Sequence, residues 1–483
     1  MTNPHRSPCT VRRLLPDLLL VAFAVVLVVF AALFTTNQNF WLDEYFSIHA
    51  ASLGWEEIAS YTAGDVHPPL YYYLLKAFLS LLGHAPVIYR VASFAAYLLT
   101  IGMALVLFRP TFGRLATFLF LCLMGPNAAS LHYFTEVRMY GWALFFVLLC
   151  GFAGYRLVEA DHPPRRWWVT LVAAGLAAGY LHYFALLAVA FVYLALLVYS
   201  LVRRPALLRN WGIAAAVCIV CYLPWVAVAA LRLTQQVSTF WLQEPPALQE
   251  TLELIVGDQL SSWLALFLLV LGCVAYLVWP RQAPAANRWL VATALLTAVG
   301  LPAFGYAATY LVRPMYLPRY FFPAAGLLWL GMAVAASGLI RQLRPNLQRC
   351  SGVLLAALLL YAMAEPAQTA LREMVECNAV ITQELAFVQD RYQEGDRIYS
   401  TVDLVDQRVL DFFFPEQNTA AGTDPGAALP ESGGSLFLIY QEEDPTGAWA
   451  ETLTQAGLQM DSWQGALLDN TWCRIYYYVP AAS

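Results

Sequence analysis

Residues 14–35 read LLPDLLLVAFAVVLVVFAALFT, with a single charge, Asp17, in an otherwise apolar run. A hydrocarbon core about 30 Å thick is crossed by about 20 helical residues rising 1.5 Å each, so this stretch predicts a membrane span. It is too long and too apolar for a cleavable signal and lacks a small-residue cleavage site, so it reads as an anchor. Working outward, similar runs recur at about 87–108, 115–135, 139–155, 167–202, 211–231, 259–280, 289–312, 320–340 and 350–364. The 167–202 run is long enough for two passes with a turn near His182-Tyr183. The whole chain agrees, with 483 residues, 60% hydrophobic and 12% charged. Soluble domains carry about 25% charged residues, so this chain lacks the polar side chains to cover a water-facing surface of its size. An α-helical polytopic membrane protein is expected. The net charge of −5 gives no footing for nucleic acid as a partner.

Arginine sets the expected topology. Lys76 is the only lysine, and the arginines gather in short loops: Arg6 to Arg13, Arg109 to Arg114, Arg156 to Arg166, Arg203 to Arg209, Arg281 to Arg288 and Arg341 to Arg349. From residue 109 onward, successive loops bracket two apolar runs each, as the positive-inside rule requires of cytoplasmic loops. Between Arg13 and Arg109 lie three runs where parity allows two. The shortest, 68–83, contains Lys76 and is expected as a juxtamembrane or re-entrant helix. The expectation is about 11 spans with the N-terminus cytoplasmic. The intervening loops are acidic: 36–67 holds Asp43, Glu44, Glu56, Glu57 and Asp65 without a lysine or arginine, and 233–258 is likewise free of cations.

After Glu365-Pro366 the composition becomes that of a soluble domain. Residues 367–393 are expected helical, 396–402 strand, 435–440 strand, 445–457 helix and 473–479 strand. The expected division is a transmembrane domain over 1–366, with its first external loop at 36–67, and a small extracytoplasmic α/β domain over 367–483. Nine cysteines show no metal-ligand spacing. Cys377 and Cys473 lie outside the apolar runs, where a disulfide is one alternative if that side is oxidising.

Several polar residues fall on the non-arginine side of this topology. Pro68-Pro69 holds His67 out of the helical region and starts a helix cleanly, which presents Asp65 and His67 at a helix N-terminus. The turn HYFTEVRMY over 132–140 carries Glu136, Arg138 and Tyr140. YLHYF over 180–184 puts His182 at the turn between two spans, and RPMYLPRYFFP over 313–323 carries Arg313, Arg319 and Tyr320. Taken singly each has an ordinary explanation: solvated loop carboxylates, snorkelling arginines, an interfacial histidine. Their agreement in side carries more weight. Carboxylates with forked guanidinium donors at a lipid–water boundary suit a lipid-linked anionic substrate.

The order LDE, DxHPPLYYxL, TEVRMY, LHYF, YLPW, FWL, PRYFFPA resembles the bacterial GT-C membrane glycosyltransferases, within them the protein-mannosyltransferase-like group similar to the aminoarabinose transferases of lipid A. The resemblance covers about residues 14–340. YFTEVRMY stands where YSQEARMY is usual, and the usual acidic-plus-ArgLeuPro signature survives only as Arg90 in APVIYRVAS. It implies the GT-C fold and a bacterial inner (plasma) membrane location. It also implies a polyprenyl-phosphate sugar donor, and inverting transfer to a lipid, glycan or protein acceptor hydroxyl on the outer face. Asp43 is implied as the general base, with Glu44, Asp65, His67, Glu136, Arg138, Tyr140, His182, Arg319 and Tyr320 lining the substrate cavity. No cofactor and no metal site is implied, although a divalent cation among converging carboxylates stays open. The competing class is a transporter or flippase of a lipid-linked or anionic solute. Transporters place ionisable residues near the midplane, whereas these runs are nearly free of charge.

Overall fold

The structure is a computed structural model and describes residues 8–63, 67–233, 246–279, 283–312, 315–431, 433–441 and 444–481. Nine described helices are long and apolar enough to cross a membrane: Leu14–Thr36, Pro86–Phe112, Tyr140–Glu159, Tyr183–Arg203, Pro205–Val228, Leu260–Val278, Ala285–Leu311, Pro318–Ile340 and Pro345–Gln389. The protein is a multi-pass membrane protein. The other two expected spans form shorter helices. The 115–135 run is divided, because helix Arg114–Met124 stops at Gly125-Pro126. Asn127 then caps Ala128–Tyr133 by accepting from the Ser130 N–H at 3.2 Å. The first half of 167–202 forms Arg165–Leu181, 17 residues, or roughly 26 Å. Residues 68–83 form the 13-residue helix Leu70–Leu82, shorter than a span, as expected.

The chain divides into two compact units, residues 1–35 with 50–369, and residues 36–49 with 370–483. In the first unit, Tyr140–Glu159 and Phe322–Ile340 are buried along nearly their whole length. An apolar helix with no polar stripe belongs inside a bundle. These two approach through glycine: a Cβ on Gly151 would come within 2.6 Å of Leu327 Cδ1, and one on Gly326 within 2.7 Å of Leu144 Cδ2. Small residues replace the hydrophobic effect as the packing device where the solvent is lipid. Other helices present exposed Val25, Val26, Val29, Phe267 and Leu271, as a lipid-facing surface should.

Arginine loops meet one another. Arg109 and Arg114 both pair with Asp17 at 2.6 Å, and Arg341 donates to the Phe112 carbonyl. Arg204 donates to the Ala160 carbonyl at 2.7 Å and to that of Asp161. The single charge inside the first apolar run thus serves as an acceptor for the second arginine loop.

The second unit is an α/β domain with five strands in the order β2-β1-β3-β5-β4. β1 (Arg397–Ser400) pairs in parallel with β2 (Thr419–Ala421) and β3 (Leu436–Tyr440). β3 is antiparallel to β5 (Thr471–Pro480), and β5 to β4 (Leu458–Leu468). Tyr399, Leu436, Leu438, Leu453, Tyr476 and Tyr478 form its core. Asp469 and Asn470 close the β4–β5 hairpin at φ 51° and 56°, the left-handed pair that a two-residue turn requires. Cys377 and Cys473 are both free: Cys473 is buried on β5 beside the Ala466 carbonyl, while Cys377 is half-buried on Pro345–Gln389. The disulfide alternative is therefore corrected.

Residues 36–49 pack within this second unit. Asn378 accepts from the Gln38 N–H at 2.7 Å and donates to the Thr36 carbonyl at 2.9 Å. Phe412 lies 5.0 Å from Phe40 and 5.1 Å from Tyr45 between ring centres. Asn39 donates to Asn470 at 2.5 Å.

Candidate functional site

Two groups of expected site residues stand in different units, and each has its own surroundings. Asp43 and Glu44 open the helix Leu42–Ser52. Glu44 is 1% exposed and Asp43 half-buried. The Asp469 carboxylate accepts from the Leu42 N–H, so the hairpin of the α/β domain caps the helix that carries Asp43. Burial, with the charges of Asp406 and Asp43 nearby, pushes the Asp469 carboxyl up to about 7.

In the first unit, His67, Glu136, Arg138, Tyr140, His182 and Tyr320 are each at least nine-tenths buried. His67 immediately precedes Pro68-Pro69 and helix Leu70–Leu82. Its ring centre is 5.0 Å from that of His182 and 6.3 Å from Tyr320. His182 lies 4.9 Å from Tyr320 and 5.6 Å from Tyr140. The Arg319 guanidinium sits 5.9 Å from the Tyr320 ring. Residues far apart in sequence thus meet at the starts of three spans: Tyr140 opens Tyr140–Glu159, His182 caps Tyr183–Arg203, and Arg319 and Tyr320 form the first turn of Pro318–Ile340.

Glu136 and Arg138 sit on a tight turn, with the Glu136 N–H bonded to the His132 carbonyl at 2.8 Å and the Arg138 N–H to the Glu136 carbonyl at 2.7 Å. His132 Nε2 approaches Glu136 at 3.9 Å, too far for a hydrogen bond. Burying a guanidinium as completely as that of Arg138 is costly, and such burial concentrates at functional sites. Its positive charge reaches the neighbours. Burial first, then Arg138 and Arg319, hold the His182 imidazole down to about 3. His67 is held well below its ordinary range by burial, Arg138, His182 and Arg319. Both rings are therefore neutral at physiological pH. Among the described residues, no group lies within hydrogen-bond reach of His67 Nδ1, His182 Nε2 or Tyr140 Oη. The arrangement brings together buried Arg138, half-buried Arg319, neutral polar groups and the Glu136 carboxylate, so guanidinium groups outnumber carboxylates. It suits an anion rich in acceptor oxygens.

Asp65 lies outside the described residues, as do Arg313 and the FWL stretch at 240–242. Among the described residues no three His, Cys, Asp or Glu side chains gather as a metal-ligand set. Two supports of the site were not among the expected site residues. Arg90, buried on Pro86–Met103, donates to the Thr135 carbonyl at 3.3 Å and so braces the turn bearing Glu136 and Arg138. Phe184 packs 5.1 Å from Tyr320. Arg90 was visible as the remnant of a family signature in an apolar run, and Phe184 as the last residue of LHYF, but neither motif says what its side chain packs against.

No protein-family model and no curated protein matches the chain. Among solved structures, ArnT from Cupriavidus metallidurans in the apo state is similar, with a TM-score of 0.61 at 17% identity over 95% of this chain and 97% of that one. The same ArnT bound to undecaprenyl phosphate gives a TM-score of 0.60 at the same identity and coverage. At this identity the likeness speaks of architecture. The chain has the GT-C membrane fold with a small C-terminal α/β domain, similar to that of ArnT.

Proposed function

We propose that the protein is an integral-membrane glycosyltransferase that moves a sugar from a polyprenyl-phosphate donor to an acceptor hydroxyl on the outer face of the bacterial inner membrane, with inversion. The observation that supports it most is the cluster of buried Arg138, His67, His182, Tyr140 and Tyr320 with half-buried Arg319. It stands on a fold shared with a protein whose structure holds undecaprenyl phosphate. Arg138 and Arg319 hold the carrier phosphate. Because the phosphate departs as an anion already neutralised by guanidinium groups, the leaving group needs no proton. The acceptor hydroxyl is a poor nucleophile, and Asp43 takes its proton as it attacks the anomeric carbon. The acceptor is a lipid, a glycan or a protein hydroxyl.

The test is a transfer assay on the purified full-length protein in lipid, offering radiolabelled undecaprenyl-phosphate sugars in turn with membrane extract as acceptor. Label is expected to move with wild type and not with Asp43→Asn. A protein that binds a donor yet never consumes it, even by slow hydrolysis, would instead be a transporter or flippase.

A further inference from the structure

No linker separates the two helices that meet at His182. Helix Arg165–Leu181 ends, His182 stands at φ −157° and ψ 137°, and helix Tyr183–Arg203 begins. The His182 N–H donates to the Ala178 carbonyl and its own carbonyl accepts from the Leu186 N–H, both at 3.0 Å, so the two helices use both main-chain groups. The side chain then caps the second helix, because the Phe184 N–H donates to His182 Nδ1 at 3.1 Å. A ring nitrogen that accepts a hydrogen bond carries no proton, and a neutral imidazole then keeps its proton on the other nitrogen. Helix capping therefore fixes the tautomer, and Nε2–H is a permanent donor.

That donor is 1% exposed with its residue, and among the described residues no acceptor lies within reach of it. Tyr140 Oη, on a ring 5.6 Å away and fully buried, is in the same position. Buried donors are normally matched, so two unmatched ones side by side point to acceptors brought by a ligand. The nearby arginine charge identifies those acceptors as anionic oxygens.

We propose that His182 is an uncharged, tautomer-locked donor that hydrogen-bonds through Nε2 to an oxygen of the carrier phosphate, with Tyr140 Oη donating beside it. This rests on the polyprenyl-phosphate reading above. The ring adds direction without adding charge. The phosphate is oriented by neutral donors while the arginines alone set its electrostatic stabilisation.

Two substitutions separate the cap from the donor. Asn places its Oδ1 where Nδ1 was and is a favoured N-cap, but has nothing at the Nε2 position. Gln places an amide N–H at the Nε2 position but loses the cap. Binding of undecaprenyl phosphate to the full-length protein in nanodiscs is measured beside undecaprenol, with melting temperature in parallel. His182→Asn is expected to melt like wild type and to bind undecaprenyl phosphate about 10–150-fold more weakly, the range of a hydrogen bond to a charged group. His182→Gln is expected to melt lower while keeping most of the affinity. Equal affinity of wild type and His182→Asn would overturn the proposal, as would parallel loss of melting temperature and affinity in both variants. A wild type that does not prefer undecaprenyl phosphate to undecaprenol would overturn the polyprenyl-phosphate reading itself.

Discussion

Asp43 and Arg319 make opposite demands on one experiment. A base acts only as the hydroxyl attacks, so Asp43→Asn is expected to leave undecaprenyl-phosphate affinity unchanged while slowing transfer about 10²–10⁴-fold. Near wild-type turnover in that variant would remove Asp43 from the reaction. A phosphate ligand acts in the ground state as well. Arg319→Ala is expected to weaken undecaprenyl-phosphate binding about 10–150-fold. Arg319→Lys should recover only part of that loss, because an ammonium restores the charge without the guanidinium fork. Unchanged affinity in Arg319→Ala would return that residue to the snorkelling role its membrane-boundary position also suits.

Among elements, the β4–β5 hairpin and the paired central helices each carry an expectation. Asp469 caps the helix Leu42–Ser52, and its carboxyl is raised from 3.8 to about 7. A raised acid favours the folded state when protonated. Its contribution is therefore complete below about pH 4 and is lost as pH rises toward 7. Asp469→Asn mimics the protonated form and keeps an oxygen for the Leu42 N–H. It should melt close to wild type below pH 4 and increasingly above it as pH rises to 8; a difference independent of pH would contradict this. In the transmembrane unit, Gly151→Leu would drive a side chain into Leu327, where even a Cβ comes within 2.6 Å of Leu327 Cδ1. Overpacking of this kind costs about 1–3 kcal/mol, readable as a lowered melting temperature in detergent. Gly102, whose Cβ would meet nothing within 4 Å, is the control.

At the scale of the whole molecule, what the sequence revealed follows from which forces are local. Apolar runs announce spans because the bilayer acts on every residue of a run at once, and the turn at His182 was legible for that reason. The change of composition after Glu365-Pro366 falls inside one continuous helix, Pro345–Gln389, with Pro366 within it, and the two compact units part at residue 369. β4 escaped notice because LQMDSWQGALL mixes polar and apolar residues, as an edge strand with an irregular register at Met460 and Ser462 can. The motifs carrying His67, Arg138, His182 and Tyr320 could be found singly, but their meeting depends on packing between residues 44 to 253 positions apart in sequence. Least legible was the company of residues 36–49. Nothing in TNQNFWLDEYF says that its partners are Asn378, Phe412 and Asn470.

That last pairing sets a schedule for biosynthesis. Asn39 and Asn470 are 431 residues apart in the chain, and synthesis at about 5–20 residues per second puts roughly 20–90 s between their emergence from the ribosome. For that interval the segment bearing Asp43 lacks the β4–β5 hairpin, and the helix Leu42–Ser52 lacks the Asp469 cap that begins it. Maturation of the proposed base therefore waits on the last strands to be made. Full-length protein is expected to resist limited proteolysis within residues 36–49, whereas a chain ending at residue 456, before β4 and β5, is expected to be cut there. Equal protection of the two chains would show that the segment folds without the hairpin.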